Sequence, residues 1–476
     1  MATKTVDYSV PNEFFFRIHH VRPRFKNDIE EVLIYIAEEL VAIGKRPKDE
    51  FREMVNQAIT RYPGNATSAP KTINNWRTEI SSLFGFIESD DYYSWPGQRA
   101  IELAKNQDLV AFFKSYLYCF QYPGAHIKPE RVLEQIENGI HFKPAQYILK
   151  MLKYASNLNG KSAGITKPEA CHCIFNDLRC TRDNVDVSVT WARIEKNRDN
   201  RVEYDQTGDV IRYAGDIIDY MEAANLLKTY DGKTFYLNTL EEEAIIKFIE
   251  STEWFSEYDH MITQKYGSLE AVKDCTTGWF SYVNRDMSNT DFATDILSFI
   301  AKDETEKDSL RRGSEEIAKR LDKGTDDFST KDIGDLGESL VHGHECMRVK
   351  NGGREDLIHL IKRIPTAFAV GYDVLSVELD ERKRFIEVKT TISSKPLHFN
   401  KVHLTRNEWN QANTVRDRYF VYRLMISKEE RKLYLIQDPV GLYKHDVISM
   451  TPGDGADITF DPKTAGRYEE LLTWKA

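Results

Sequence analysis

The stretch Arg384-Phe385-Ile386-Glu387-Val388-Lys389-Thr390-Thr391-Ile392 decides how this chain is read. Its β-branched and aromatic residues predict a strand, and Ala369-Val370-Gly371-Tyr372-Asp373-Val374-Leu375-Ser376-Val377 predicts another before it. The polar turn Asp380-Glu381-Arg382-Lys383 makes the two an antiparallel hairpin. Side chains alternate along a strand, so Glu387 and Lys389 project to one side and Ile386 and Val388 to the other. The apolar pair is expected in a core and the charged pair in a cleft. Asp373 reaches the same side if the register allows. Two carboxylates and an ammonium at one spot are costly, and stability alone does not require them. Hard carboxylate oxygens suit Mg²⁺, and a lysine beside them can orient a water, or help deprotonate it, for attack on phosphorus. On a solvent-facing hairpin the same residues would be an ordinary surface ion pair.

The flanks extend the pattern. Ile333-Gly334-Asp335-Leu336-Gly337-Glu338 starts a helix that carries Glu338. Downstream, Thr405-Arg406-Asn407-Glu408 has the form of a capping box, with Thr405 as the N-cap and Glu408 three residues on. Segments 419–424 and 432–437 then predict two more strands. Asp373 with Glu387-Val388-Lys389 resembles the PD-(D/E)xK nuclease superfamily. Gly371-Tyr372-Asp373-Val374-Leu375-Ser376, Phe385-Ile386-Glu387-Val388-Lys389-Thr390-Thr391, Asn407-Glu408-Trp409 and Tyr419-Phe420-Val421-Tyr422-Arg423 are similar to its branch with a NO VEIN-type C-terminal domain. That resemblance covers roughly 331–440. It implies an αβββαβ core, a divalent metal (Mg²⁺), and phosphodiester hydrolysis in DNA. By the same likeness Asp373 and Glu387 hold the metal, Lys389 handles the water, and Glu338 is the acidic residue on the preceding helix. The superfamily's proline before the aspartate is replaced here by Tyr372.

The remainder of the chain reads as mostly helical. Residues 13–60 are expected to be helical, and Ser68 to Ile87 to form a second helix. Tyr92-Tyr93-Ser94-Trp95-Pro96-Gly97 is expected to be a short strand or wing, an order that resembles a winged helix-turn-helix module. Helix 213–227 followed by the hairpin 228–237, turning at Asp231-Gly232, repeats that order. Lys71, Thr72, Asn74, Asn75 and Arg77 gather at the start of the second helix, where Asn and Arg can read base edges in the major groove and a helix N-terminus favours phosphate. Gly160-Lys161-Ser162 ends like a P-loop but lacks its leading glycine and strand, so no nucleotide triphosphate site is expected. Cys171-His172-Cys173 with Cys180 lacks the spacing of a structural zinc site and is read as buried small side chains.

Among 476 residues, 65 Lys and Arg face 75 Asp and Glu, a net charge of −10. Blanket attraction to nucleic acid is thereby excluded. The charge is uneven: residues 331–476 hold 23 basic and 22 acidic residues, leaving 42 and 53 for 1–330. DNA binding must therefore rest on local patches. Six cysteines are too few for a disulfide scaffold, and no apolar run is long enough to span a membrane. With the polar start of the sequence, this leads to an expectation of a cytoplasmic protein.

The expected fold is multidomain α+β: a mostly helical N-terminal half with winged-helix modules and a C-terminal αβββαβ PD-(D/E)xK nuclease domain. Its parts are a recognition module over 1–110, a helical region with a second winged-helix-like module over 111–285, a charged helix and linker over 286–330, and the nuclease domain over 331–476. A sequence reader tethered to a cutter resembles a type II restriction endonuclease acting on double-stranded DNA. A single D…ExK set per chain adds the expectation of a homodimer during double-strand cleavage. The alternatives are a modification-dependent endonuclease and a winged-helix DNA-binding regulator with a vestigial nuclease domain.

Overall fold

The computed structural model describes residues 8–25, 28–206, 209–287, 292–321, 330–365, 370–453 and 455–472. It divides into two compact units. The first comprises Met1–Val32, Ile36–Ala104 and Val110–Phe292; the second comprises Leu33–Tyr35, Lys105–Leu109 and Ala293–Ala476.

The first unit is largely helical and contains two small sheets. Its first element group runs α1 (Ile29–Ile43), β1 (Arg46–Pro47), α2 (Lys48–Arg61), α3 (Pro70–Thr78), β2 (Ile87–Ser89) and β3 (Tyr93–Pro96). The sheet order is β1-β3-β2, all antiparallel. Val32, Ile36, Leu40 and Ile43 bury one stripe of α1, the spacing an amphipathic helix needs. In α3 the buried pair is Ile73 and Trp76, with the Trp76 ring 4.8 Å from Phe25 and 5.6 Å from Tyr62. The expectation of helix throughout 13–60 is corrected: apart from a single turn at Asn12–Phe14, helix begins only at Ile29. Part of this segment bonds elsewhere instead: Phe15 forms a bridge with Asp177, the Phe16 N–H donates to the Asn176 carbonyl at 3.1 Å, and Pro23 keeps Arg22 away from helical backbone.

A second group repeats the plan. Helix α4 (Pro144–Asn159) leads to β4 (Gly164–Thr166), then come α5 (Val187–Asp199) and α6 (Asp209–Ala223), and the hairpin β5 (Leu227–Thr229) and β6 (Thr234–Leu237) closes it. Its sheet order, β4-β6-β5, matches the first. Asp90 and Asp231 tie the two hairpin turns alike. Each carboxylate accepts two successive backbone N–H groups, from Tyr92 and Tyr93 in one turn and from Lys233 and Thr234 in the other.

Of the expected linker 286–330, residues 288–291 and 322–329 lie outside the described residues, and Glu304–Leu321 is a helix.

The second unit opens with α7 (Ile333–Asn351), followed by β7 (Lys362–Arg363), β8 (Val374–Val377) and β9 (Lys383–Ile392). Then come β10 (Lys401–Thr405), α8 (Arg406–Val415), β11 (Tyr419–Ile426) and β12 (Arg431–Gln437), and finally β13 (Ile448–Gly453), β14 (Gly455–Phe460) and β15 (Arg467–Glu470). The main sheet has the order β15-β12-β11-β9-β8-β7, and β10-β14-β13 form a separate sheet. β9 and β11 are parallel, and α8 lies in the connection between them, as a parallel pair requires. Every residue of β11 is buried, which fits a central strand covered on both faces. The strand expected over 369–377 begins only at Val374, and Ala369 lies outside the described residues. Among the described residues no helix is long and apolar enough to cross a membrane.

Candidate active site

The hairpin register decides what meets what. Val374 pairs with Ile386, and the Asp373 N–H donates to the Ile386 carbonyl at 2.9 Å. Asp373 therefore stands opposite Glu387, one step beyond the last strand pair. Residues so opposed share a face. The Val388 N–H donates to Asp373 Oδ2 at 2.8 Å. Lys389 Nζ donates to Glu387 Oε1 at 2.6 Å. The three residues singled out in the sequence thus converge.

Burial differs from the expected division of the strand. Glu387 is only 3% exposed, and Val388, on the apolar side, is half-buried. The reason is that α8 covers the charged side. Its Glu408 Oε2 accepts from Lys389 Nζ at 3.1 Å and also from the Thr405 N–H at 2.9 Å. The capping box read in the sequence is present. What sequence reasoning missed is that its glutamate also serves the site. Arg363 on β7 is a second such residue: its Nη2 donates to Glu338 Oε2 at 3.0 Å.

Two glycines let the elements close in. A Cβ on Gly337 would fall 1.8 Å from Thr390 Oγ1, so only glycine lets α7 lie this close to β9 beside Glu338. Gly371 has φ +80°, and a Cβ there would meet the Asn407 carbonyl at 2.6 Å. Its own carbonyl accepts the Tyr419 hydroxyl at 2.9 Å. The Gly371-Tyr372-Asp373 start thus has a packing reason. Farther along α7, the fully buried Glu345 accepts from Arg348 (2.7 Å), Ser376 (2.7 Å) and Tyr422 (2.8 Å). Burial works against its charge, but Arg384 and Arg348 outweigh it and hold this carboxyl below the usual range. That network fixes the helix bearing Glu338 to β8 and β11.

The electrostatics are those of crowded acids. Burial pushes Glu387 well above the usual carboxylate range, aided by Asp373 and Glu408 and opposed by Lys389. Burial also raises Asp373. Glu338 is pushed up to about 7, by burial first and by the Asp373 charge second. Burial opposes the Lys389 charge, but Glu387 and Glu408 outweigh it and hold the ammonium well above the ordinary lysine value. Such acids gain from a cation.

Among the described residues no three His, Cys, Asp or Glu side chains are arranged to enclose an ion. Mg²⁺ does not need that, because it takes one or two carboxylates and completes its shell with water and substrate oxygens. The opposed carboxyls of Asp373 and Glu387 fit this mode.

The five residues proposed for base reading do not share one face. On α3, Lys71 and Asn74 are exposed, whereas Thr72, Asn75 and Arg77 are half-buried. Arg77 Nη1 donates to Asn56 Oδ1 on α2 at 2.6 Å.

Comparison with known proteins gives these elements a context. Residues 8–280 match the family model described as "Restriction endonuclease BpuJI - N terminal". The chain belongs to this BpuJI N-terminal family. Residues 337–436 match a second model, "Protein NO VEIN, C-terminal", over the segment that holds Glu338, Asp373, Glu387, Lys389 and Glu408. Among solved structures, the BpuJ1 endonuclease binding domain in complex with pyrene- and phenanthrene-modified DNA is similar at 24% identity and a TM-score of 0.50. The match covers 57% of this chain and 99% of that one; at that identity it speaks for the fold alone. No curated protein matches. The BpuJI match takes in both repeated element groups of the first unit, and the NO VEIN match takes in the hairpin of the second.

Proposed function

We propose that this member of the BpuJI N-terminal family is a type II restriction endonuclease that hydrolyses double-stranded DNA with Mg²⁺. The observation that carries the reading is Asp373 opposed to Glu387 with Lys389 on the same strand, in a chain whose other part belongs to a restriction-endonuclease family. The order α7-β7-β8-β9-β10-α8-β11, with β10 set apart in the other sheet, supports a PD-(D/E)xK core. The two like groups in the first unit support winged-helix modules that read DNA, with α3 of the first presenting Lys71 and Asn74.

Asp373 and Glu387 would hold Mg²⁺, which when bound supplies Lewis-acid polarisation of a phosphoryl oxygen and charge neutralisation in the transition state. Lys389, held protonated, acts as a donor: it orients the attacking water and steadies negative charge gathering on the phosphoryl oxygens. Glu338, with its carboxyl near 7, is suited to take up the water's proton at neutral pH. The P–O bond to the departing sugar oxygen then breaks, and that oxygen takes a proton from a solvent water to leave as the hydroxyl. Arg363 orients Glu338, and Glu408 orients Lys389.

One such centre cuts one strand, so a double-strand break needs two chains or two sequential visits by one; we favour a two-fold pair, which supplies both centres at once. The test is digestion of a large DNA with Mg²⁺ and with EDTA, followed by sequencing of the ends. Fragments with one recurrent end sequence, formed only with Mg²⁺, are expected. Loss of cutting on unmethylated DNA alone would move the reading to a modification-dependent nuclease, and no cutting on either would move it to a regulator with a vestigial domain. Mixing wild type with excess Glu387→Ala tests pairing. Nicked circles should accumulate from supercoiled plasmid, and linear product formed at an unchanged rate would refute it.

A further inference from the structure

The first unit contains a cavity of about 620 Å³ beside the second hairpin, lined by Lys161, Trp191, Arg198 and Tyr236 among others. Its floor is built. Arg198 is clamped by Glu169 at 2.6 and 2.8 Å and by the Gly164 carbonyl at 2.7 Å. Its guanidinium lies 5.1 Å from the centre of the Trp191 ring. Trp191 is 2% exposed, yet its indole N–H meets no acceptor among the described residues. The sheet extends the same surface outward. Lys228 and Gly164 are the cross-strand neighbours of Tyr236, one on each side, so all three share one face. The Tyr236 ring lies 6.0 Å from that of Tyr230, over which Lys228 places its ammonium at 5.8 Å. Tyr230 is 79% exposed, the highest value among the exposed large apolar side chains.

We propose that this groove binds an unpaired nucleotide of a DNA strand, with the base against Tyr230 and Tyr236 and the phosphates beside Lys161 and Lys228. Aromatic faces alternating with cations are the pattern that holds single-stranded nucleic acid, because every base has a face to stack. Duplex DNA keeps those faces occupied by its own stacking. The volume lies in the range of small-ligand sites, and the exposed Tyr230 ring beside Tyr236 offers faces on which a base can stack. Gly160-Lys161-Ser162, which is no P-loop, acquires a role at the rim. The inference rests on the reading of the chain as a DNA-binding nuclease and adds a second contact to it.

The test uses the full chain in EDTA and a short single-stranded oligonucleotide containing 2-aminopurine, with a fluorescein-labelled duplex in parallel. Tyr230→Ala and Lys161→Ala alter exposed residues and should leave thermal unfolding unchanged. Each is expected to weaken single-strand binding about tenfold. Tyr230→Ala should also relieve the quenching of 2-aminopurine, and duplex affinity should hold. Single-strand affinity and quenching that are the same in wild type and variants would overturn the groove, as would wild type that binds only the duplex. Wild type that binds neither DNA would overturn the functional reading and the groove with it.

Discussion

Lys389 and Glu408, nineteen positions apart in sequence, meet at 3.1 Å, and the Glu408 oxygen that receives the lysine also caps helix α8 through the Thr405 N–H. The helix start and the lysine's position are thus one structural unit. Glu408→Gln keeps a side chain able to complete the capping box but removes the negative charge from Lys389. It should leave thermal stability within about 1 kcal/mol of wild type while lowering the cleavage rate at least tenfold. Thr405→Ala should cost about 1 kcal/mol of stability and reduce cleavage less. Unfolding melts and single-turnover cleavage on the same samples check both; equal losses of rate in the two variants would contradict the charge argument.

Asp373 opposite Glu387 makes a prediction that does not depend on activity. A ligand that binds only the native state stabilises it by mass action, and the melting temperature then rises with ligand concentration. Mg²⁺ should raise the melting temperature of wild type and leave that of Asp373→Asn and Glu387→Gln unmoved. The same rise in all three proteins would place the metal elsewhere. Asp373→Ala, Glu387→Ala and Lys389→Ala should each abolish cleavage and leave DNA affinity largely intact.

Glu338 supplies a pH dependence. Its carboxyl is raised in the folded protein to about 7 from 4.5, so the native state holds this proton more tightly than the unfolded chain does. The resulting stability is full below pH 4.5 and is lost as pH rises through 7, amounting to on the order of 3 kcal/mol. Glu338→Gln removes that loss. Relative to wild type, the variant should gain stability at pH 8 in EDTA and gain little at pH 4, as measured by urea unfolding. A gain that is the same at both pH values would show that Glu338 does not carry the raised carboxyl.

On α3 the exposure of Lys71 and Asn74 and the Arg77–Asn56 bond divide the five candidate residues by role. Asn74→Ala should weaken specific duplex binding by about 1–3 kcal/mol if it reads a base, and Lys71→Ala should reduce the salt dependence of binding. Arg77→Ala should act mainly on stability, by about 1 kcal/mol through the lost hydrogen bond. Binding isotherms at two salt concentrations, together with melts, separate these outcomes. Specific binding lost in Arg77→Ala alone would return the reading role to Arg77.

The local sequence determined the elements. Alternation along 384–392 carried the strand, the four-residue turn carried the hairpin, Thr405 and Glu408 carried the cap, and the Asp-Gly turn carried the hairpin of the first unit's second group. Each of these is a pattern among residues close together in the sequence. The pattern failed ahead of Pro23, where Phe15 and Phe16 pair with Asp177 and Asn176 rather than continuing a helix.

Tertiary structure alone decided which groups meet. The register that opposes Asp373 to Glu387 is fixed by pairing across the hairpin and by Gly371 fitting against Asn407. The approach of Glu408 to Lys389 follows from the α8 crossover that parallel β9 and β11 demand, and that of Arg363 to Glu338 follows from β7 joining the sheet beside β8. Tertiary packing likewise turned Arg77 toward Asn56 and built the groove of Trp191, Tyr236 and Lys161. These are contacts between residues far apart in the chain, set by where buried apolar faces come to rest, and no local periodicity encodes them.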